Sequence, residues 1–168
     1  MVELVLWVLV GIVGLLVVAF AVLLLGMRYR SGVVLDGVRH FNHAVTNRLT
    51  VRKAGRPGAS NGLVRHVGRT SGRAYETPVG PFPTADGFLV ALPYGTRADW
   101  ARNVLAAGRA TLLVDGETVE VDAPELVDTA DVLEELPAGE RKTLRVFRVE
   151  QCLRLRRAAV AVPYPTPG

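Results

Sequence analysis

The sequence has a single cysteine, Cys152, so a disulfide within the chain and a thiolate metal site are both excluded. A lone thiol fits a reducing compartment. Histidines are also few, with three in 168 residues. His40 and His43 stand at i and i+3, yet neither a carboxylate nor the third histidine, His66, is near them in sequence. Polar positions on a helix are the simpler reading, and no metal site is expected. Zinc-finger spacing, a basic zipper and the aromatic signature of RNA-binding sheets are all missing, so no nucleic-acid partner is expected. Ser60 and Ser71 have no identifiable histidine and acid partners. No nucleophile–base set is therefore present, and no catalytic residue is assigned.

A long hydrophobic run is present. From Leu4 to Leu25 every residue is apolar or glycine. As a helix this stretch spans about 33 Å, which matches a hydrocarbon core of about 30 Å. A cleaved signal peptide would want a basic start, a shorter apolar core and a small-residue cleavage site. Here the start carries Glu3 and no base, and Leu25-Gly26-Met27-Arg28 is a poor cleavage site. The run predicts a single-pass membrane anchor. Arg28, Arg30 and Arg39 follow it, so the C-terminal side is expected to be cytoplasmic, with membrane lipid as one partner. Trp7 and Tyr29 suit the interface. The anchor and its basic flank take residues 1–30.

About 140 residues remain, enough for one domain. Apolar residues at helical spacing (Val34, Leu35, Val38, Phe41, Val45, Leu49) predict an amphipathic helix over 33–51. Ala54-Gly55-Arg56-Pro57-Gly58 reads as a linker, so 31–57 form one segment and 58–168 the domain proper. In that domain the spacing predicts strands at Leu63–Val67, Tyr75–Val79 and Phe88–Leu92, with Pro78 marking an edge or a bulge. A helix is expected over Asp99–Ala107, with Asp99 as N-cap and Gly108 at its end. Ala110–Val114 and Thr118–Leu126 should pair across the Asp115-Gly116 turn. Asp128–Leu136 and Glu140–Leu155 read as helices, and Ala158–Val162 as a last strand. Hairpins with an inserted helix suggest a small closed or partly open barrel, mainly β with helices.

Two segments carry chemistry. Gly68-Arg69-Thr70-Ser71-Gly72-Arg73 surrounds a tight turn with hydroxyls and guanidiniums, an inventory suited to phosphate or carboxylate. It is not a Walker loop, because the spacing differs and no Lys-Ser or Lys-Thr follows. Its plainer reading is a solvated hairpin turn. Arg69 and Arg73 are expected to be exposed there, so that removing either changes stability by no more than about 0.5 kcal/mol. The second segment, Pro93 to Asn103, joins a strand end to a helix start. It offers free N–H groups, a favourable dipole and the flat faces of Tyr94 and Trp100. Its plainer reading puts Trp100 in the core and uses Asn103 to tie down a loop. Anion-binding turns without a triad fit an enzyme whose chemistry is carried by a bound cofactor.

At these segments the sequence resembles the deazaflavin-dependent nitroreductase and quinone reductase family, within the flavin/deazaflavin oxidoreductases. Gly68 to Arg73 followed by Thr77-Pro78-Val79 is similar to that family's first signature. Tyr94-Gly95 through Asp99-Trp100, with Arg102 to Gly108, is similar to its second. The likeness covers roughly Gly62 to Val127. It implies an α+β, FMN-binding-like split β-barrel holding coenzyme F420, a deazaflavin with a phosphate and an oligoglutamate tail; FMN is the alternative cofactor. By the resemblance, Arg69, Thr70, Ser71, Gly72, Arg73 and Ala74 hold the phosphate side. Tyr94, Gly95, Asp99, Trp100, Arg102 and Asn103 line the ring side. Thr70 and Tyr75 stand where many members carry a base, and Arg73 is expected to supply one of those charges. Tyr164 is the candidate counterpart of the family's acceptor-side tyrosines. The expected function is a membrane-anchored reductase passing a hydride from reduced F420 to a quinone- or nitro-type acceptor. The alternatives are a non-catalytic deazaflavin- or flavin-binding module and an FMN-dependent relative.

Overall fold

A computed structural model of the chain describes residues 1–28, 51 and 53–159. Tyr29, Arg30, Arg39, His40, His43, Tyr164 and, apart from Val51, the expected 33–51 helix lie outside the described residues.

The apolar run folds as helix α1, Val2–Arg28. Its Val5–Val22 window has a mean hydropathy of 3.0 and no buried share. At 27 residues the helix is about 40 Å long. It is therefore long and apolar enough to cross a membrane.

The rest is built on one antiparallel sheet. Its strands are β1 Gly62–Val67, β2 Ala74–Val79, β3 Pro81–Pro83, β4 Gly87–Ala91, β5 Arg109–Val114, β6 Glu117–Asp128 and β7 Gln151–Arg157. Helix α2, Asp99–Ala107, lies between β4 and β5; α3, Thr129–Val132, and α4, Ala138–Val146, lie between β6 and β7. The spatial order is β2-β1-β5-β6-β7-β4-β3. The two outermost strands, β2 and β3, are separated in the chain by Gly80 alone. A flat sheet cannot bring its two edges that close, so this one curls on itself. Gly62 helps the edges meet, because a Cβ there would lie 2.8 Å from Pro81 Cγ. The result is an α+β half-barrel of split-barrel type.

The curl encloses one apolar core drawn from six strands: Val64 of β1, Val79 of β2, Phe88 and Val90 of β4, Leu112 of β5, Val121 of β6, and Leu153 and Leu155 of β7. Helix α2 packs onto it through Ala101 and Val104. A second cluster joins Leu89 and Cys152 to Val132, Leu136, Leu144 and Val149.

Most expected elements are present. Pro78 lies in the edge strand β2, where its missing N–H costs no ladder bond. The β5–β6 turn has Asp115 at φ 50 and Gly116 at φ 82, the type I′ pattern that matches strand twist. Gly108 closes α2 in the left-handed region and donates its N–H to Val104 O at 2.9 Å.

Five expectations need correction. Asp99 is the first helical residue and Ala98 the N-cap, with no side-chain cap bond. The span Asp128–Leu136 begins with the end of β6 and continues as the one-turn α3 and a 3-10 turn, Leu133–Glu135. The helix expected over Glu140–Leu155 ends at Val146, and Gln151–Arg157 is a strand between β6 and β4. Cys152, Leu153 and Leu155 are fully buried there, so pairing on both sides overrides local helix propensity. Of the strand expected over Ala158–Val162, Ala158 and Ala159 are not in a strand, and residues 160–162 lie outside the described residues. Finally, Ala54–Gly58 is docked on the domain: Gly116 donates its N–H to Gly55 O at 2.6 Å, and Gly58 donates to Asp115 Oδ1 at 2.7 Å. Ala54 is buried.

Candidate functional site

The first signature is the β1–β2 turn. Gly68 donates its N–H to Arg73 O at 2.8 Å, and Gly72 donates to Gly68 O at 2.9 Å. Gly72 has φ 65, which glycine adopts without strain. Gly68 is required for space, since a Cβ there would run into Ser71 Oγ and lie 2.8 Å from Tyr75 Cε2.

Arg69 leaves this turn for α2. Its Nη2 donates to Asp99 Oδ1 at 2.9 Å, and its Nη1 to Asn103 Oδ1 at 2.8 Å. The Arg69 backbone N–H donates to the same Asn103 oxygen at 3.1 Å. Asp99 and Asn103 are one helical turn apart, so both face the guanidinium. Arg69 is exposed, as expected. The expectation that it is energetically neutral is corrected, because its guanidinium is bonded to both helix residues.

The bonds continue inward. Asn103 is buried, and its Nδ2 donates to Nδ1 of buried His66 at 3.2 Å. His66 Nε2 lies 3.1 Å from Thr77 Oγ1. The His66 ring stacks on Tyr75, with centroids 5.7 Å apart and 19° between planes. Tyr75 reaches back to the turn, its hydroxyl 3.2 Å from Ser71 Oγ. A closed circuit therefore runs from the turn through Asn103, His66 and Tyr75 to the turn again. Burial pushes the His66 imidazole from its ordinary 6.5 down to about 4, against an opposing pull from the Asp99 carboxylate. His66 is neutral at pH 7.

The remaining expected residues fall into two groups. Thr70, Ser71, Gly72 and Arg73 are exposed on the turn, Ala74 opens β2, and Arg102 is exposed on α2. Among the described residues the guanidiniums of Arg73 and Arg102 have no hydrogen-bond or ion-pair partner. Tyr94 and Gly95 form a turn in which Gly95, at φ 75, donates its N–H to Leu92 O at 2.9 Å. Trp100 is half-buried against the main core. The structure thus joins Arg69, Asp99 and Asn103 directly. It gives Trp100 a packing role and leaves Arg73 and Arg102 presenting positive charge. Exposed arginines and hydroxyls around a glycine turn suit a phosphate or carboxylate chemically.

His66 was not expected in the site; Tyr75 and Thr77 belong to the first signature but were not among the expected cofactor-binding residues. Strand alternation puts His66 on the same face of β1 as Val64, toward the core. That periodicity was the available signal.

Two shallow hollows of about 470 and 480 Å³ lie beside the second cluster, lined by residues such as Asp128, Val132 and Leu144. Neither includes a residue of the two signatures. Among the described residues no group of three His, Cys, Asp or Glu is placed to hold a metal ion.

Fold and site together define a split-barrel domain whose signature turn is pinned to a helix by one arginine. No protein-family model matches the chain, and no curated protein matches it. Among solved structures it is similar to that of HutZ, the heme storage protein from Vibrio cholerae, at 14% identity over 61% of this chain and 84% of that one, with a TM-score of 0.46.

Proposed function

We propose that this chain is a membrane-anchored oxidoreductase that passes a hydride from reduced coenzyme F420 to a quinone- or nitro-type acceptor. One observation carries the reading. The two segments that resemble the family's signatures, far apart in sequence, are bonded to each other by Arg69 through Asp99 and Asn103. Two independent motifs joined in this way are more specific than either alone.

The residues present fit such a cofactor. Thr70, Ser71, Gly72 and Arg73 would receive its phosphate and glutamate tail, because they are exposed and offer donors of positive or neutral character. Arg102 adds positive charge from α2. Arg69 positions the turn and is spent on Asp99 and Asn103. Trp100, half-buried, supplies a flat apolar wall near the ring side. The bound cofactor, once reduced, supplies the hydride; the protein's part is to hold and orient it. FMN would fit the same turn through its single phosphate.

Helix α1 supports placing this domain at a membrane, with Arg28 at its C-terminal end favouring a cytoplasmic domain. Quinones dissolve in the bilayer, so a domain tethered there meets a raised local concentration of acceptor.

The test uses the full chain in lipid nanodiscs, titrated separately with F420 and FMN and followed by tryptophan quenching. Reduced F420 is then mixed with menadione. Saturable F420 binding and decay of the reduced-deazaflavin absorbance are expected. Binding without turnover would replace the reductase by a binding module. FMN binding with no F420 binding would replace the cofactor.

A further inference from the structure

We infer that His66 is a positioning residue of this site: its unprotonated Nδ1 fixes the amide of Asn103, which holds Arg69 and the 68–73 turn against α2, so that a proton on Nδ1 releases the turn.

The argument is a count of donors and acceptors. Two N–H groups of Arg69, one from the backbone and one from the guanidinium, point at one oxygen of Asn103. That oxygen must be the carbonyl, so the amide NH₂ faces His66 Nδ1. Nδ1 must then accept, and the ring proton sits on Nε2, donated to Thr77 Oγ1. A proton on Nδ1 would set an N–H against an NH₂. Flipping the Asn103 amide would relieve that clash but turn the NH₂ onto both Arg69 donors. No amide orientation serves a protonated His66 and a bound Arg69 together. Since Asn103 and His66 are both buried, water cannot easily replace the lost partners.

The groups around the ring are accounted for on each side. From β2, Tyr75 stacks on it and Thr77 accepts from it. From α2, Asn103 donates to it and Asp99 acts on it through space, with Arg69 bonded to both helix residues. The core residues that β5 contributes, Ala110 and Leu112, are apolar. Asp99 favours the proton and burial opposes it, with burial the larger effect. The latch is therefore closed at neutral pH and opens on acidification.

The latch stands on geometry alone; its consequence for ligand binding rests on the proposed F420 site. The deciding experiment is nitrogen NMR of ¹⁵N-histidine-labelled full chain in nanodiscs. At neutral pH the wild-type His66 should show a protonated Nε2 and a bare Nδ1. In Asn103→Asp an oxygen replaces the NH₂, so His66 should carry a proton on Nδ1 at the same pH. A wild-type His66 protonated at Nδ1, or an Asn103→Asp His66 with Nδ1 still bare, would overturn the inference.

A second pair of variants reads the consequence for binding. The Asn oxygen of His66→Asn falls near the position of Nδ1, so this variant should hold F420 within about twofold of wild type. His66→Gln keeps only the Thr77 side, and it should lose roughly tenfold, the equivalent of one hydrogen bond. Equal losses in both would overturn the assignment of Nδ1 as the operative atom. If wild type binds no F420, the cofactor reading fails, and the NMR result still judges the latch.

Discussion

The two apolar clusters of the barrel are built differently. The main core, between the curled sheet and α2, carries a chain of polar groups into its interior: Arg69, Asn103, His66 and Thr77. In the second cluster, under α3 and α4, the polar contacts are local: Thr129 Oγ1 lies 3.5 Å from Cys152 Sγ, and Arg141 Nε donates to Leu136 O at 2.8 Å. Among the described residues no buried side-chain nitrogen or oxygen lacks a partner. The polar chain is thus fully satisfied, and it can specify one arrangement of turn and helix where apolar packing alone would tolerate several. The second cluster contributes burial without that specificity. This is why the site is placed at the first.

The largest effects should come from emptying either cluster. Leu155→Ala, in the main core, and Leu144→Ala, in the second, should each cost about 2–5 kcal/mol by urea denaturation, with Leu155 the more costly. Leu155 is fully buried and flanked by strands on both sides, whereas Leu144 lies on a nine-residue helix. A larger loss at Leu144 would reverse the ranking of the two cores.

The next effect separates the clusters by pH. The unfolded His66 protonates near 6.5 and the folded one near 4. Below 6.5 the unfolded state binds the extra proton, so stability should fall as pH drops from 6.5 to about 4. At about 1.4 kcal/mol per pH unit, the loss from His66 is about 3 kcal/mol. His66→Asn should remove that part of the acid loss. The second cluster should fail in the other direction. Burial pushes the Cys152 thiol above its ordinary 9.0, against the hydrogen bond from Thr129, so the unfolded state loses its proton first. Stability should decline above pH 9, and Cys152→Ala should flatten that limb. An acid loss unchanged in His66→Asn would separate the polar chain from the stability of the main core.

A smaller effect should distinguish the two signature arginines. Arg69→Ala removes the guanidinium bonds to Asp99 and Asn103, while the backbone N–H of residue 69 still serves the Asn103 oxygen, so the cost should be about 1 kcal/mol. Arg73→Ala touches no bonded side chain among the described residues, and the melting temperature should barely move. Equal melting temperatures for the two variants would mean that Arg69 is no tether.

Much of this architecture was legible because it is local. Asp115-Gly116, Pro78 and Gly108 each impose a backbone geometry that a few residues determine, and the elements they mark are where the sequence puts them. Strand β7 was not legible. Its Leu153-Arg154-Leu155-Arg156 alternation is strand-like, but it follows a helical stretch that stops only at Phe147–Arg148, where Arg148 adopts φ 49 without a glycine to announce it. The three-residue β3 was missed because two of its residues are prolines, and its pairing with β4 is a tertiary fact. The site divides the same way. The arginine-rich turn and the helix start were visible as segments, yet the bond that joins them depends on the curl of the sheet. Asp99 looked like a cap because acids favour helix starts; its carboxylate is taken by Arg69 instead. His66 read as an ordinary strand residue, since nothing local reveals that Asn103 will come to face it.

The central claim is that the pinned turn presents its exposed face to the anionic side of F420. It is tested most directly by isothermal titration of F420 into the full chain in nanodiscs, comparing wild type with Arg73→Ala. A charge-assisted hydrogen bond contributes about 1.5–3 kcal/mol. The account therefore predicts at least a roughly tenfold weaker dissociation constant for the variant, an unchanged melting temperature, and a gap that narrows as salt is raised. Arg73→Ala binding F420 as tightly as wild type, at low salt and with an intact fold, would contradict it.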